Sequence, residues 1–224
     1  MRNFLKNFWG AFVSPIALII FLTILFTGAA YVGELSPSNK LMDSVVKIEL
    51  KNGHGSGVHI GNGYYLTAAH VVKGEKEVSM RDDDGVKRMA KVMWINEESD
   101  IALLFYNKPP ESLYQYGVPL KCSYLSVGDD VTALGNPIKL EWIETNGKIA
   151  SKPIRIDGVW EEVYVVDFPI FNGMSGGPMF DTNGNLYGIN VGGQYIQSIM
   201  GDSVPVGMGM IVPSKHICDL MGIE

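Results

Sequence analysis

Apolar and polar positions alternate in short stretches through most of this chain. Residues 46–50 follow a period of two, which is typical of a strand with one buried face. The turn signals Asp84-Gly85 and Asn183-Gly184 separate stretches of the same kind. Other strand-like stretches cover residues 78–80, 86–93, 131–134, 147–150 and 163–166. Many short strands with closely spaced turns predict an all-β barrel or sandwich.

The N-terminus has a different pattern. No charged residue occurs at positions 7–33, and residues 11–30 are almost wholly apolar. A helix of twenty residues is about 30 Å long, which matches the hydrocarbon core of a bilayer. Arg2 and Lys6 before the run and Glu34 after it predict a cytoplasmic N-terminus, with the rest of the chain outside.

This segment is interpreted as an uncleaved transmembrane helix, because the apolar run is long for a signal peptide. A cleavable signal is the alternative, since Gly28-Ala29-Ala30 places small residues at plausible cleavage positions. An anchor at residues 1–33 would hold the rest of the chain outside the cytoplasm, in a periplasmic or other extracytoplasmic location. A cleaved signal would instead make it a secreted protein. Residues 34–41 are interpreted as a linker to a folded body at 42–224.

Composition limits the classes of partner. The net charge is −6, and the 18 lysines and arginines are scattered rather than clustered, which argues against nucleic acid as the main partner. The chain has two cysteines, Cys122 and Cys218. An exported body would allow them to pair, but the sequence does not show whether they lie close together.

No metal site and no cofactor are predicted. The acidic run at residues 82–85 lacks further ligands at calcium-loop spacing and is interpreted as a hairpin turn. His54, His59 and His216 have no second ligand nearby at metal spacing, so we interpret them as solvated or packing side chains.

The strongest chemical signal is a serine among glycines, in the segment Gly173-Met174-Ser175-Gly176-Gly177. Glycines add no side chain to a core and lose backbone entropy on folding, so the cluster indicates that backbone must approach something closely. Nucleophilic acyl transfer needs such an approach, because the serine oxygen must be exposed and nearby N–H groups must face the developing oxyanion. Taken alone, the segment is more often a tight turn.

Two upstream residues supply the partners that a serine nucleophile requires. His70 follows an apolar run at residues 65–69, and Asp100 precedes a strand-like run at residues 101–104. Each alone has a plainer interpretation, as a core histidine and as a turn or cap aspartate. A serine hydroxyl needs a base to take its proton, and the base needs an acceptor that fixes its tautomer. The order His70, Asp100, Ser175 is that of chymotrypsin-type β-barrels.

The sequence resembles the trypsin-like serine proteases of the HtrA (Deg) branch over roughly residues 45–220. The segments that carry the resemblance are Gly53-His54-Gly55-Ser56-Gly57-Val58, Gly63-Tyr64-Tyr65-Leu66-Thr67-Ala68-Ala69-His70-Val71-Val72, Ser99-Asp100-Ile101-Ala102-Leu103-Leu104, Ala133-Leu134-Gly135-Asn136-Pro137, Gly188-Ile189-Asn190 and Gly207-Met208-Gly209-Met210-Ile211-Val212-Pro213-Ser214. The resemblance implies two packed six-stranded antiparallel barrels, at about 42–125 and 126–213, and a short C-terminal helix at about 214–222.

Two features depart from the family pattern. Met174 stands where the digestive proteases carry an aspartate that captures a newly freed N-terminus, and where the HtrA branch usually has asparagine. Activation through that internal ion pair is therefore not expected. HtrA proteins also typically continue into one or two peptide-binding PDZ domains, whereas this sequence stops at Glu224, so we expect a protease domain without them.

The resemblance implies a serine endopeptidase that acts on polypeptides, in quality control or processing of exported proteins. His70, Asp100 and Ser175 would be catalytic, and the N–H groups of Gly173 and Ser175 would form the oxyanion hole. Relatives with a strong basic preference carry an acid six residues before the serine, where this chain has Pro169. We therefore expect small or medium apolar side chains before the cleaved bond. The predicted substrate pocket comprises Pro169, Ile170, Phe171, Ile189, Asn190, Val191 and Gly192.

Two other functions remain as alternatives. A membrane-tethered, catalytically weak protein that binds unfolded segments would keep the same fold, but the intact set of three catalytic residue types speaks against it. An esterase would use the same three residues, and only the wider resemblance favours peptides as substrates. The sequence predicts neither the physiological substrate nor the oligomeric state.

Overall fold

The computed structural model describes residues 41–107, 117–197 and 203–223. The predicted transmembrane helix at residues 1–33 lies outside these ranges. Within them, no helix is long and apolar enough to span a bilayer. The described residues form thirteen strands and two helices: β1 (Val45–Leu50), β2 (Gly53–Gly61), β3 (Tyr64–Ala68), α1 (Ala69–Val72), β4 (Glu77–Arg81), β5 (Lys87–Asn96), β6 (Ile101–Phe105), β7 (Asp130–Gly135), β8 (Ile143–Lys148), β9 (Ile154–Ile156), β10 (Trp160–Val166), β11 (Pro178–Asp181), β12 (Leu186–Gln197), β13 (Ser203–Pro213) and α2 (Ser214–Met221).

The first half folds as a closed barrel with the strand order β1-β2-β3-β6-β5-β4. β1 closes the barrel, because it pairs with β2 on one side and with β4 on the other. The alternation in β1 turns Ile48 inward, where it lies opposite the buried Met80 of β4. Leu66 of β3 and Leu104 of β6 are also fully buried. The predicted first six-stranded barrel is confirmed.

The second half is a seven-stranded sheet with the order β8-β7-β11-β12-β13-β10-β9. The prediction of a second six-stranded barrel is therefore wrong in its strand count. The seventh strand, β9, is three residues long and pairs with β10, where the register shifts between Trp160 and Val163. Ile149, just after β8, forms one isolated bridge with Val166 of β10. The sheet thus curls until the residues beyond β8 reach β10, but one bridge joins them instead of a full strand pairing.

Two apolar clusters form the core, and one of them joins the halves. One runs from the first barrel into the second sheet and includes Leu134, Phe180 and Ile189. The other lies within the second sheet and includes Tyr164 and Met179. Because the first cluster crosses the boundary, the two halves share a close-packed core, which restricts their relative movement at the surface where they meet.

A disulfide attaches α2 to the segment between the two halves. Cys122 and Cys218 are bonded, with their Cα atoms 5.6 Å apart, which answers the question that the sequence left open. α2 buries Ile217 and Cys218 on its inner side and ends at Gly222. Gly222 has φ +66°, the left-handed conformation in which glycine commonly ends a helix.

Candidate active site

Strand register brings His70 and Asp100 together. β3 pairs with β6 so that its last residue, Ala68, lies opposite Ile101, the first residue of β6. His70 lies in α1, directly after β3, and Asp100 directly precedes β6. The backbone N–H of Ala69 donates to the carbonyl of Asp100 at 3.1 Å. Two residues that are 30 positions apart in sequence therefore become neighbours.

The carboxylate of Asp100 accepts hydrogen bonds from two groups of His70. Ring Nδ1 lies 2.7 Å from Oδ2, and the backbone N–H donates to Oδ1 at 2.8 Å. The indole N–H of Trp160 is 3.4 Å from Oδ2. Since Nδ1–H is the donor to the carboxylate, Nε2 of the neutral ring carries a lone pair and can accept a proton. Asp100 is 8% exposed and the His70 side chain is 49% exposed, so the base is accessible while its acceptor is buried.

Ser175 lies in a loop that both halves hold. Its carbonyl accepts the N–H of Ser56 from β2 at 2.8 Å, and the N–H of Gly176 donates to Asn190 of β12 at 2.7 Å. Gly173 and Gly176 have φ of +95° and +85°. A Cβ atom on Gly176 would overlap the carbonyl oxygen of Ser56, so only glycine fits there. The close backbone approach that the glycine cluster predicted is present.

His70 and Ser175 line the same open cleft, which has a volume of about 510 Å³. The first half contributes residues 50–54 to its wall, and the second half contributes Asn172 and Gly173. A molecule lying in this cleft can therefore contact the histidine, the serine and the loop before the serine at the same time.

Residues 171–174 form a tight turn next to Ser175. The N–H of Met174 donates to the carbonyl of Phe171 at 2.9 Å, and Gly173 has φ +95°, as the third residue of a type II turn does. The carbonyl of Asn172 accepts the N–H of Ile138 at 2.8 Å. The N–H and C=O of a trans peptide point in opposite directions, so the N–H of Gly173 points away from Ile138.

Ser56 and Asn136 hold this turn from inside the protein, and both are fully buried. The hydroxyl of Ser56 donates to the carbonyl of Gly173 at 2.8 Å. The same oxygen accepts the backbone N–H of Asn136 at 3.0 Å and its side-chain N–H at 3.1 Å. His54 donates from Nε2 to the carbonyl of Asn136 at 2.7 Å. The motifs that contain these residues are visible in the sequence, but their contact is not, because no local pattern links positions 80 apart.

A model of the trypsin-like peptidase domain matches residues 55–189 of the sequence. The matched range contains His70, Asp100 and Ser175 together with Ser56 and Asn136. The chain belongs to the trypsin-like peptidase family.

Relatives of this trypsin-like peptidase confirm its resemblance to the HtrA branch. It is 35% identical over 168 residues to the periplasmic pH-dependent serine endoprotease DegQ of Escherichia coli, across 73% of this chain and 35% of DegQ. It is 33% identical over 157 residues to a probable periplasmic serine endoprotease, DegP-like, of Bartonella henselae, across 69% of this chain and 30% of that protein. The chain thus spans about a third of the length of these curated relatives.

Solved structures of the same fold include the HtrA-type protease AlgW with a tripeptide. That structure matches this peptidase with a TM-score of 0.69 and 26% identity, over 84% of this chain and 63% of AlgW. The inactive form of Rv3671c from M. tuberculosis H37Rv matches with a TM-score of 0.65 and 24% identity, over 83% of this chain and 89% of that one. This second likeness supports the fold alone.

The peptidase buries part of the predicted substrate pocket. Four of the predicted residues are at most 3% exposed: Ile170, Ile189, Asn190 and Val191. Three others are partly exposed: Pro169, Phe171 and Gly192. The side chain of Asn190 donates to the carbonyl of Leu134 in β7 at 3.1 Å and to the carbonyl of Met174 at 3.4 Å, so it connects β7 to the loop of Ser175. The pocket assignment stays a prediction.

Two histidines that we interpreted as solvated or packing side chains join networks beside the site. His54 donates to the backbone behind the 171–174 turn, as described above. His216 of α2 has Nε2 2.8 Å from the hydroxyl of Ser99, which in turn donates to Glu161 at 3.1 Å. Because Ser99 directly precedes Asp100, α2 supports the loop that carries the carboxylate.

Proposed function

We propose that this trypsin-like peptidase is a serine endopeptidase that hydrolyses peptide bonds through an acyl-enzyme. The observation that carries the proposal is that His70, whose Nδ1 lies 2.7 Å from Asp100 Oδ2, lines the same cleft as Ser175. Ser175 Oγ attacks the scissile carbonyl carbon while His70 Nε2 takes its proton. Asp100 orients the ring and stabilises the imidazolium. His70 then gives the proton to the leaving amine, and water releases the acyl group by the same transfers in reverse.

The N–H groups of Gly173 and Ser175 form the oxyanion hole in this proposal. The bond from Ile138 to the Asn172 carbonyl supports it, because that bond holds the N–H of Gly173 on the opposite side of the peptide. One oxyanion donor is typically worth roughly 3 kcal/mol of transition-state stabilisation. Loss of this one donor would therefore slow the proposed reaction by roughly a hundredfold.

Small or medium apolar side chains are the proposed preference before the cleaved bond. Ile170 packs against Gly209, where an added Cβ would come within 2.5 Å of Ile170 Cγ1. The hydroxyl of Tyr195 donates to the carbonyl of Ile170 at 3.3 Å, which holds Ile170 in place. Ile170 itself is buried, and the partly exposed members Pro169, Phe171 and Gly192 carry no charge, which supports an apolar preference. Cleavage of a peptide library only after lysine or arginine would contradict this preference.

We place the body at residues 42–224 outside the cytoplasm, attached through residues 34–41 to a membrane anchor at 1–33. The disulfide between Cys122 and Cys218 supports export, because disulfides persist in oxidising compartments. The names of the relatives from Escherichia coli and Bartonella henselae support it as well, since both are called periplasmic. Protease added to intact spheroplasts should digest the body, and alkaline carbonate should leave the chain in the membrane. Release by carbonate would contradict the anchor, and protection from protease would contradict export.

Cleavage of casein by the full chain tests the proposed activity, with Ser175→Ala as the matched control. We expect the wild type to degrade casein and the variant to lose this activity by at least three orders of magnitude. Hydrolysis of small esters without cleavage of casein would favour an esterase. Binding of unfolded casein with neither activity would favour the binding protein.

A further inference from the structure

The side chain of Met174 is fully buried, although the next residue, Ser175, lines the open cleft. It belongs to the apolar cluster of the second sheet, whose other members include Tyr164, Phe168 and Met179. The chain therefore turns inward at Met174 and outward again at Ser175. Because the side chain is apolar, moving it from the core into the water of the cleft would cost free energy.

The side chain of Met174 packs over the backbone of β7 at Gly135. A Cβ atom on Gly135, the last residue of β7, would lie 2.9 Å from Met174 Cα and 3.1 Å from Met174 Cβ. Such distances are too short for a side chain, so the glycine leaves the space that Met174 fills. Because interiors are close-packed, the thioether side chain has little freedom to move in this space.

Both peptide groups of Met174 are also bonded. Its N–H closes the 171–174 turn on Phe171 O at 2.9 Å, and its carbonyl accepts the N–H of Gly177 at 2.9 Å. The side chain of Asn190 donates to the same carbonyl at 3.4 Å. The N–H of Gly173 belongs to the central peptide of the turn that Met174 closes, so a displacement of Met174 would open the turn and release that N–H.

We propose that Met174 is a positioning residue whose buried side chain anchors the 171–174 turn in the arrangement that forms the oxyanion hole. The inference rests on the proposed function, because it assigns Met174 to the same reaction. An apolar anchor needs no partner charge, since a thioether neither ionises nor requires a counter-ion. The hole is therefore formed in the resting protein, without a freed N-terminus or an added ligand.

Steady-state kinetics of Met174→Ala in the full chain test the anchor, with a fluorogenic peptide that has valine before the cleaved bond. We expect kcat to fall at least tenfold and KM to stay within threefold, because the substrate ground state does not use the hole. Met179→Ala is the matched control, since Met179 is a fully buried methionine of the same cluster on β11. This variant should lose stability to a similar degree and keep its kcat.

Rescue separates positioning from a general loss of packing. Met174→Leu keeps the apolar volume and should restore kcat to within threefold of the wild type. Met174→Val and Met179→Val remove less volume and give the same comparison if the alanine variants fail to fold. If the wild type is active and the folded Met174 variants keep its kcat, the role of Met174 is overturned and the proposed function stands. A wild type that neither cleaves the peptide nor reacts with a fluorophosphonate would overturn the proposed function and the preformed hole together.

Discussion

Replacement of Ser56 by alanine tests how the oxyanion turn is supported from inside the protein. The change removes one hydroxyl that is fully buried and lies behind Gly173. It leaves three groups without their partner: the carbonyl of Gly173 and the backbone and side-chain N–H groups of Asn136. We expect the substitution to lower both the stability of the fold and the rate of the proposed reaction.

The three hydrogen bonds set the size of these effects. At about 1 kcal/mol for each bond, Ser56→Ala should lower the free energy of unfolding by about 3 kcal/mol. The bond to Gly173 O alone, worth about 1 to 1.5 kcal/mol, opposes rotation of the neighbouring peptides out of the hole. Its loss corresponds to a kcat that is roughly five- to twelvefold lower.

Urea unfolding and steady-state kinetics measure the two effects separately. Ser44→Ala is the matched control, because Ser44 is 5% exposed, its hydroxyl donates to Leu41 O at 2.6 Å, and it does not line the cleft. The control should cost about 1 kcal/mol of stability and leave kcat unchanged. If Ser56→Ala lowers stability as expected but keeps the wild-type kcat, then Ser56 does not support the hole and the reasoning is refuted.

Three other substitutions follow from the structure. Gly173 has φ +95°, and a Cβ atom there would overlap the buried carbonyl of Asn136. Gly173→Val should therefore lower kcat by about two orders of magnitude or more, with little change in KM. Steady-state kinetics that match the wild type would exclude its role in the oxyanion hole. Replacing Cys122 and Cys218 by serine opens a bridge across 96 positions and should cost about 2–4 kcal/mol in chemical unfolding, so an unchanged midpoint would contradict the bond. Burial raises the pKa of Tyr164 to about 12, above the value in the unfolded chain. The stability contributed by its neutral form is therefore present below about pH 10 and lost as the pH rises towards about 12. In urea titrations between about pH 10 and pH 12, Tyr164→Phe should lack this loss.

Local patterns were sufficient to predict most strands and the residue types of the candidate site. The period of two in β1 follows directly from one buried face, and Asn183-Gly184 lies in the turn that joins β11 to β12. His70 and Asp100 were recognisable because they are the residue types that a serine nucleophile requires, in the order of chymotrypsin-type β-barrels. Their contact at 2.7 Å then follows from the register of β3 and β6.

Contacts between distant positions were beyond sequence reasoning. β9 has three residues, too few to display a period, so the seventh strand of the second sheet was missed. Ser56 meets Gly173 across 117 positions, and neither residue carries a local signal for the other. Met174 is visible in the sequence as a departure from the family pattern. The inward direction of its side chain depends on the space above Gly135, which only the folded sheet creates.

Mapping the site of a fluorophosphonate adduct shows whether Ser175 is the nucleophile. The full chain is treated with the probe, digested, and analysed by mass spectrometry, beside His70→Ala. We expect one adduct, on Ser175, at a rate that the His70 variant lowers by at least a thousandfold, because the hydroxyl is a weak nucleophile without its base. An adduct on another residue, or equal labelling of Ser175 in both proteins, would contradict it.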